Sequence, residues 1–224
     1  MSTLKMLVVG ASLTALVVST NTIAQYTPWA EEEFPMHLYW GDTHLHSSFS
    51  VDANTMGNTA LNPEQAYRFA RGEPVEANNG MTARLAMPLE FQVVSDHAEQ
   101  MGMMLKLREG DPRLLEDPNA RRIHAAMTGA NSDEASNAVM QEFLGKMAKG
   151  EPMFHNPEVS MDVWQESIAI ADKFNDPGNF TALIGFEWTS MPNANNLHRV
   201  VVYADGADKA GQMQPRPSSE NEDP

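Results

Sequence analysis

Asp42, His44 and His46 carry the clearest chemistry in the chain, spaced two apart within Leu38 to Ser50, read as LYWGDTHLHSSFS. On an extended strand, residues i and i+2 share a face. Two neutral imidazoles and a carboxylate then converge, which is a ligand set for a divalent ion of transition type. A bare His-x-His also fits two solvated histidines on an edge strand. Asp42 and the apolar, aromatic lead-in Leu38-Tyr39-Trp40 favour a strand that ends in a metal site. Asp52, the pair Asp96-His97, Glu187 and His198 follow. Three or more imidazoles with bridging carboxylates suit a cluster of two or three ions, which can generate hydroxide near neutral pH and neutralise a phosphoryl transition state.

Such residues act together only if the fold delivers them to one place. The spacing predicts a strand over Leu38 to Asp42, a polar loop over Ser47 to Asn58 containing Asp52, and a helix opened by Asn62-Pro63-Glu64. Ala66, Phe69 and Ala70 mark the inner face of that helix, and Gly72 ends it. Glu73 to Ala86 reads as a loop. Phe91 to Ser95 is a short apolar run that fits a buried strand, delivering Asp96-His97 at its end. Ala98 to Phe174 reads as mostly helical. One helix is capped at Ser132-Asp133-Glu134 and ends near Gly150; another is capped at Ser160, with Val163, Trp164, Ile168 and Ala171 at helical spacing. The Met101, Met103 and Met104 group reads as packing. Asn179 to Ile184 is a strand followed by Gly185-Phe186-Glu187-Trp188. Pro192 to Asn196 is a turn, and Leu197 to Tyr203 a strong strand. Strands alternating with helices, with ligand-type residues repeatedly at strand ends, predict an α/β fold of barrel type with its site on one face.

Several charged residues read as structural. Glu99 is expected to be a helix N-terminal acid, Arg68 and Arg71 solvated helix arginines, His37 a surface residue, and His124 and His155 non-ligands.

The 224 residues carry a formal net charge of -15, no cysteine, 16 methionines and 42% hydrophobic residues. That balance is globular, and its acidity, with no basic stripe, argues against a nucleic-acid partner. Lys5, the apolar run Met6 to Val18 and Thr22-Ile23-Ala24 read as an export signal over residues 1–24, cleaved before Gln25. The apolar run is short of the roughly 20 residues a spanning helix needs. The expected mature product is therefore exported, periplasmic or secreted, with no membrane attachment after cleavage and no disulfide framework. Residues 25–37 form an exposed lead-in, 38–211 the metal-binding domain and 212–224 a loop or frayed end.

GDTHLHSSFSVDA, NPEQAYRFARGE and PLEFQVVSDHAE, with the lone Glu187 and with His198 opening a strand, resemble the DUF3604 branch of the PHP (polymerase and histidinol phosphatase) family. The resemblance implies a distorted seven-stranded (β/α)7 barrel holding up to three ions of zinc, manganese or iron. It further implies hydrolysis of a small-molecule phosphoester. Carried over by position, His44 and His46 bind the first ion and Glu187 bridges it to a second, held by His198. Asp52, where the family often has histidine, and His97 bind a third, with Asp42 and Asp96 behind the ligands. The family's later motifs, another metal-binding His and a terminal Asp-x-His, have no match before Pro224. The expectation is the N-terminal portion of a longer protein, with the later barrel strands missing. Two rivals remain: an amidohydrolase-like enzyme attacking a carbonyl, and a non-catalytic metal-binding or interaction module.

Overall fold

Three of the described helices, those opened by Asn62, Asp117 and Asn156, begin with the same signal, an Asx residue followed by proline. Helix α1 (Val51–Thr55) is a single turn after Ser50. Helix α2 (Pro63–Ala70) follows Asn62, whose side chain accepts from the Glu64 and Gln65 N–H groups, while Gln65 Oε1 accepts from Asn62 N at 3.2 Å. This reciprocal box satisfies donors that the first helical turn would leave open. Helix α3 (Met103–Glu109) precedes α4 (Pro118–Met127), which Asp117 opens by accepting from the Asn119 and Ala120 N–H groups, and α5 (Ser132–Met147) follows. Helix α6 (Pro157–Phe174) starts at Asn156-Pro157, with Asn156 Oδ1 accepting from Val159 N at 3.1 Å. The expected cap at Ser160 is therefore corrected: proline, lacking an N–H to orphan, fixes the start so that the cap lies at Asn156, four residues earlier. Helix α7 (Ala207–Ala210) follows the last strand.

The computed structural model describes residues 37–129, 132–147, 149, 151–154, 156–190 and 197–217. The chain falls into two units, Met1–Leu38 and Tyr39–Pro224, and the elements named here belong to the second. The expected signal segment, the lead-in up to residue 36, His155, the cap side chains at Ser132 and Asp133, the turn over 192–196 and the last residues 218–224 lie outside what is described. Among the described residues, no helix is long and apolar enough to cross a membrane.

The fold is mixed α/β. Strands β1 (Gly41–Leu45), β4 (Phe91–Val94), β5 (Thr181–Ser190) and β6 (Leu197–Val202) form one sheet in the order β1-β4-β5-β6. β1, β4 and β5 run parallel, and β6 returns antiparallel to β5. A small hairpin pairs β2 (Val75–Glu76) with β3 (Thr82–Ala83), inside the segment expected to be loop.

The first strand differs from the expectation in a way that matters. It begins at Gly41 rather than Leu38, and Leu38, Tyr39 and Trp40 are exposed, at 74%, 71% and 68%. The aromatic run is thus not a buried lead-in. Pairing instead starts where glycine allows close approach: a Cβ at Gly41 would lie 2.4 Å from Phe91 O. Between Asp42 and Leu45 the register slips, three steps on β1 matching two on β4. Such a bulge re-aims the residues beyond it.

One face of the sheet packs on helices. Ala182, Ile184 and Phe186 of β5 alternate into the core, where Phe186 meets Trp164 of α6 edge-on at 6.1 Å. Val163, Trp164, Ile168 and Ala171 are buried, as their spacing predicts, and each large side chain among them contributes roughly 1.5–3 kcal/mol. On α2 the buried face is Pro63, Tyr67 and Ala70; Ala66 and Phe69 are only half-buried. The alternate residues of β5, Glu187 and Thr189, lie on the opposite face to the helices.

Candidate metal centre

Every candidate ligand arrives at the same end of the sheet. β1 carries His44, with His46 just beyond it; Asp96-His97 lies past the end of β4. β5 does not stop at Ile184, as expected, but continues to Ser190, overrunning β4 and carrying Glu187 within the strand. Pairing persists along that overrun: Glu187 N donates to Asp96 O at 3.0 Å and Ala98 N to Glu187 O at 2.9 Å. β6 runs the other way, so its second residue, His198, faces Thr189 across the hairpin at the same end. Asp52 sits in the first turn of α1, a helix where a polar loop was expected.

Glu187, 1% exposed, is the hub. Its Oε2 lies 3.0 Å from His44 Nε2, 2.7 Å from His46 Nε2 and 3.6 Å from His97 Nε2. Its Oε1 lies 2.5 Å from His198 Nδ1. Asp52 serves the middle of the row, with Oδ2 at 3.0 Å from His46 Nδ1 and 3.6 Å from His97 Nε2. The four imidazoles stand in sequence, with ring centroids 5.2, 4.8 and 5.4 Å apart from His44 through His46 and His97 to His198. Three overlapping ligand groups result: His44, His46 and Glu187; His46, Asp52 and His97; His97, Glu187 and His198. All six residues expected as ligands therefore come together.

The two expected supporting acids are near but differently placed. Asp42 Oδ1 accepts from His44 N at 2.9 Å, fixing the backbone at the bulge rather than an imidazole. Asp96, fully buried, accepts from Ser47 N and from Ser47 Oγ at 2.7 Å, tying the end of β1 to that of β4.

Other residues of the site escaped the sequence reading. Ser50 occupies the N-cap position of α1 without capping it; its hydroxyl instead donates to Asp52 Oδ1 and accepts from His97 N at 3.2 Å. Thr189 Oγ1 lies 3.0 Å from His97 Nδ1 and 3.3 Å from His198 Nδ1. Glu99, expected to be a helix N-terminal acid, instead lies in a turn before α3 and is buried with Oε2 3.6 Å from His97 Nδ1. A carboxylate or hydroxyl on the far nitrogen sets the tautomer of a ligating imidazole. The available signal was proximity in sequence, Glu99 two residues after His97 and Thr189 two after Glu187. Neither spacing is distinctive by itself. His124 Nδ1 turns away to Leu107 O at 2.6 Å, and Arg68 pairs with Glu64 and Glu73.

The electrostatics follow from crowding. Burial opposes charge on His97, but Asp52 and Glu99 outweigh it and push the ring up to about 10. Burial likewise opposes, and Asp52 overrides, at His46, which is raised. Asp52 and Glu187 are both held below the ordinary carboxylate range against their burial, Asp52 chiefly by hydrogen bonds from His46 and His97, Glu187 chiefly by the charge of His97. Asp96 is lifted to about 6 by burial, partly countered by Ser47. Anionic oxygens thus gather positive charge here.

The donor set fits a metal by a direct test. Among the described residues, His46 Nε2 and Glu187 Oε1 are buried without a hydrogen-bond partner, yet each faces another ligand-type atom at 2.7 or 2.5 Å. Other buried side-chain atoms also go without a hydrogen bond, Ser48 Oγ and Asn54 Oδ1 among them, so what marks these two is the second ligand-type atom within contact range. A cation shared between such atoms would satisfy both at once, and the three clustered His/Asp/Glu groups could hold one.

No curated protein and no solved structure matches the chain. A family model described as "Protein of unknown function (DUF3604)" matches residues 33–224. Spanning all of the candidate ligands and most of the sequence, that match establishes that the chain belongs to the DUF3604 family.

Proposed function

We propose that this protein is an exported, metal-dependent hydrolase of phosphoesters, built on a PHP-type (β/α)7 barrel and freed of residues 1–24. The observation that carries the reading is the row of three ligand groups joined through His46, His97 and Glu187. Bridged groups of this kind suit two or three ions rather than one.

When bound, such ions supply an acidified water as nucleophile and neutralise charge that develops on phosphorus. The chain's own residues do the rest. Glu187 holds four imidazoles around one carboxylate, and Asp52, aligned by Ser50, fixes His46 and His97. Glu99 and Thr189 engage His97 Nδ1, leaving Nε2 to the ligand side. The side chains of His44 and His198 are 51% and 38% exposed, while those of Glu187 and His97 are buried. Substrate therefore approaches over His44 and His198.

One observation favours a second reading, attack on a carbonyl. Each described ion pair of the cluster joins a histidine to a carboxylate, with no lysine or arginine for phosphate. The test is phosphate release from a panel of mono- and diesters by the full chain loaded with manganese or zinc. Release that a chelator stops and metal restores supports the proposal. A folded, metal-loaded chain that releases none overturns it; turnover of amides or lactones then selects the second reading, and no turnover a binding module.

A further inference from the structure

We infer that the substrate carries a compact apolar group, an aryl ring or short branched alkyl, seated beside the cluster in a cavity that His46 shares with it. The inference rests on the metal-hydrolase reading for where the reacting group lies. The cavity measures about 200 Å³ and lies between the end of β1, helix α2 and the β2–β3 hairpin, walled by Leu45, Leu61, Ala66, Phe69 and Val75 as well as His46. No lysine, arginine, aspartate or glutamate lines it.

Its origin explains its character. Helix α2 turns Tyr67 and Ala70 into the core, which leaves Ala66 and Phe69 on a flank where the small Ala66 side chain fills little space. An apolar void forfeits dispersion contacts on its open side, and an apolar ligand group regains them. A void of about 150 Å³ accepts benzene, so this one is sized for a single ring rather than a sugar, a nucleotide or a long acyl chain. Its lack of charge likewise disfavours a second phosphate. His46 belongs to two of the ligand groups and to the cavity wall. A group bonded to a phosphoryl centre at the cluster therefore has this cavity as an adjoining shelter.

The test uses the full chain loaded with manganese, with phenylphosphonate and methylphosphonate as non-hydrolysable probes followed by calorimetry. Burying a phenyl group in place of methyl predicts about tenfold tighter binding or more. Ala66→Trp fills the cavity and is expected to erase that preference while leaving methylphosphonate affinity within about twofold. Should Ala66→Trp fail to fold, Phe69→Ala enlarges the cavity, and the preference moves from phenyl towards naphthyl. Equal binding of the two phosphonates, or a preference untouched by the cavity variant, overturns the inference. A preserved phenyl preference without turnover of any phosphoester defeats the phosphoesterase reading alone. Failure of both probes to bind overturns both.

Discussion

Thr189 Oγ1 lies 3.0 Å from His97 Nδ1, so the hydroxyl engages the nitrogen opposite the one that faces Asp52 and Glu187. Together with Glu99 it commits His97 to one tautomer. Replacement by Thr189→Val keeps the shape and removes the hydroxyl. The expected result is a loss of metal affinity of about tenfold or more, with a stability cost near 1 kcal/mol. Metal titration of the variant, alongside denaturant unfolding of the metal-free chain, separates the two effects.

Stability should respond to pH in opposite senses with and without metal. His46 and His97 have raised folded pKa values, so their contribution is complete below about 6.5 and is lost as pH rises, through about 10 for His97. Asp96, raised to about 6, also loses its contribution as pH rises through that value. Asp52 and Glu187 are lowered, so theirs is present above their ordinary values and lost as pH falls. The chelated chain is therefore expected to melt higher at pH 5.5 than at pH 9. Metal requires neutral imidazole, so the rise in Tm on adding zinc or manganese should be larger at pH 8 than at pH 5.5. A chelated chain more stable at pH 9 would refute this assignment of charges.

Gly185 lies between β4 and β6 where a Cβ would come 2.5 Å from Val93 Cγ1 and 2.7 Å from Val201 O. Gly185→Ala must spread the sheet two residues before Glu187. The expected cost is about 1–3 kcal/mol, accompanied by weaker metal binding. A variant unchanged in both would show that β5 has more room than its neighbours indicate.

Asn62 supplies a complete capping box to α2. Asn62→Ala is expected to lower unfolding stability by about 1 kcal/mol at unchanged metal stoichiometry, because α2 contributes no ligand. Urea midpoints and elemental analysis check the two halves of this statement.

The legibility of this fold in its sequence divides along physical lines. His44, His46, His97, Glu187 and His198 stood out because imidazoles and acids beside apolar runs are rare and period-bound. Asn62-Pro63 was read correctly for the same reason that Asn156-Pro157 could have been: each is a local signal. The strand start at Gly41 was missed because Leu38-Tyr39-Trp40 has strand propensity, whereas pairing with β4 is a long-range property that begins at a glycine. The overrun of β5 through Glu187 was hidden likewise, since Gly185 reads as a break until its neighbours are known. Ser50, Glu99 and Thr189 are common residue types whose roles exist only once the chain has closed around His97.

The central claim is that Glu187 joins the histidines into a centre for more than one ion. Its most direct test is elemental analysis of the full chain after equilibration with zinc or manganese and removal of free metal, comparing the native sequence with Glu187→Gln. The account predicts two or three ions per native chain, as its three overlapping ligand groups allow, and at most one in the variant. A native chain that retains none, or a variant that retains the full complement, would contradict it.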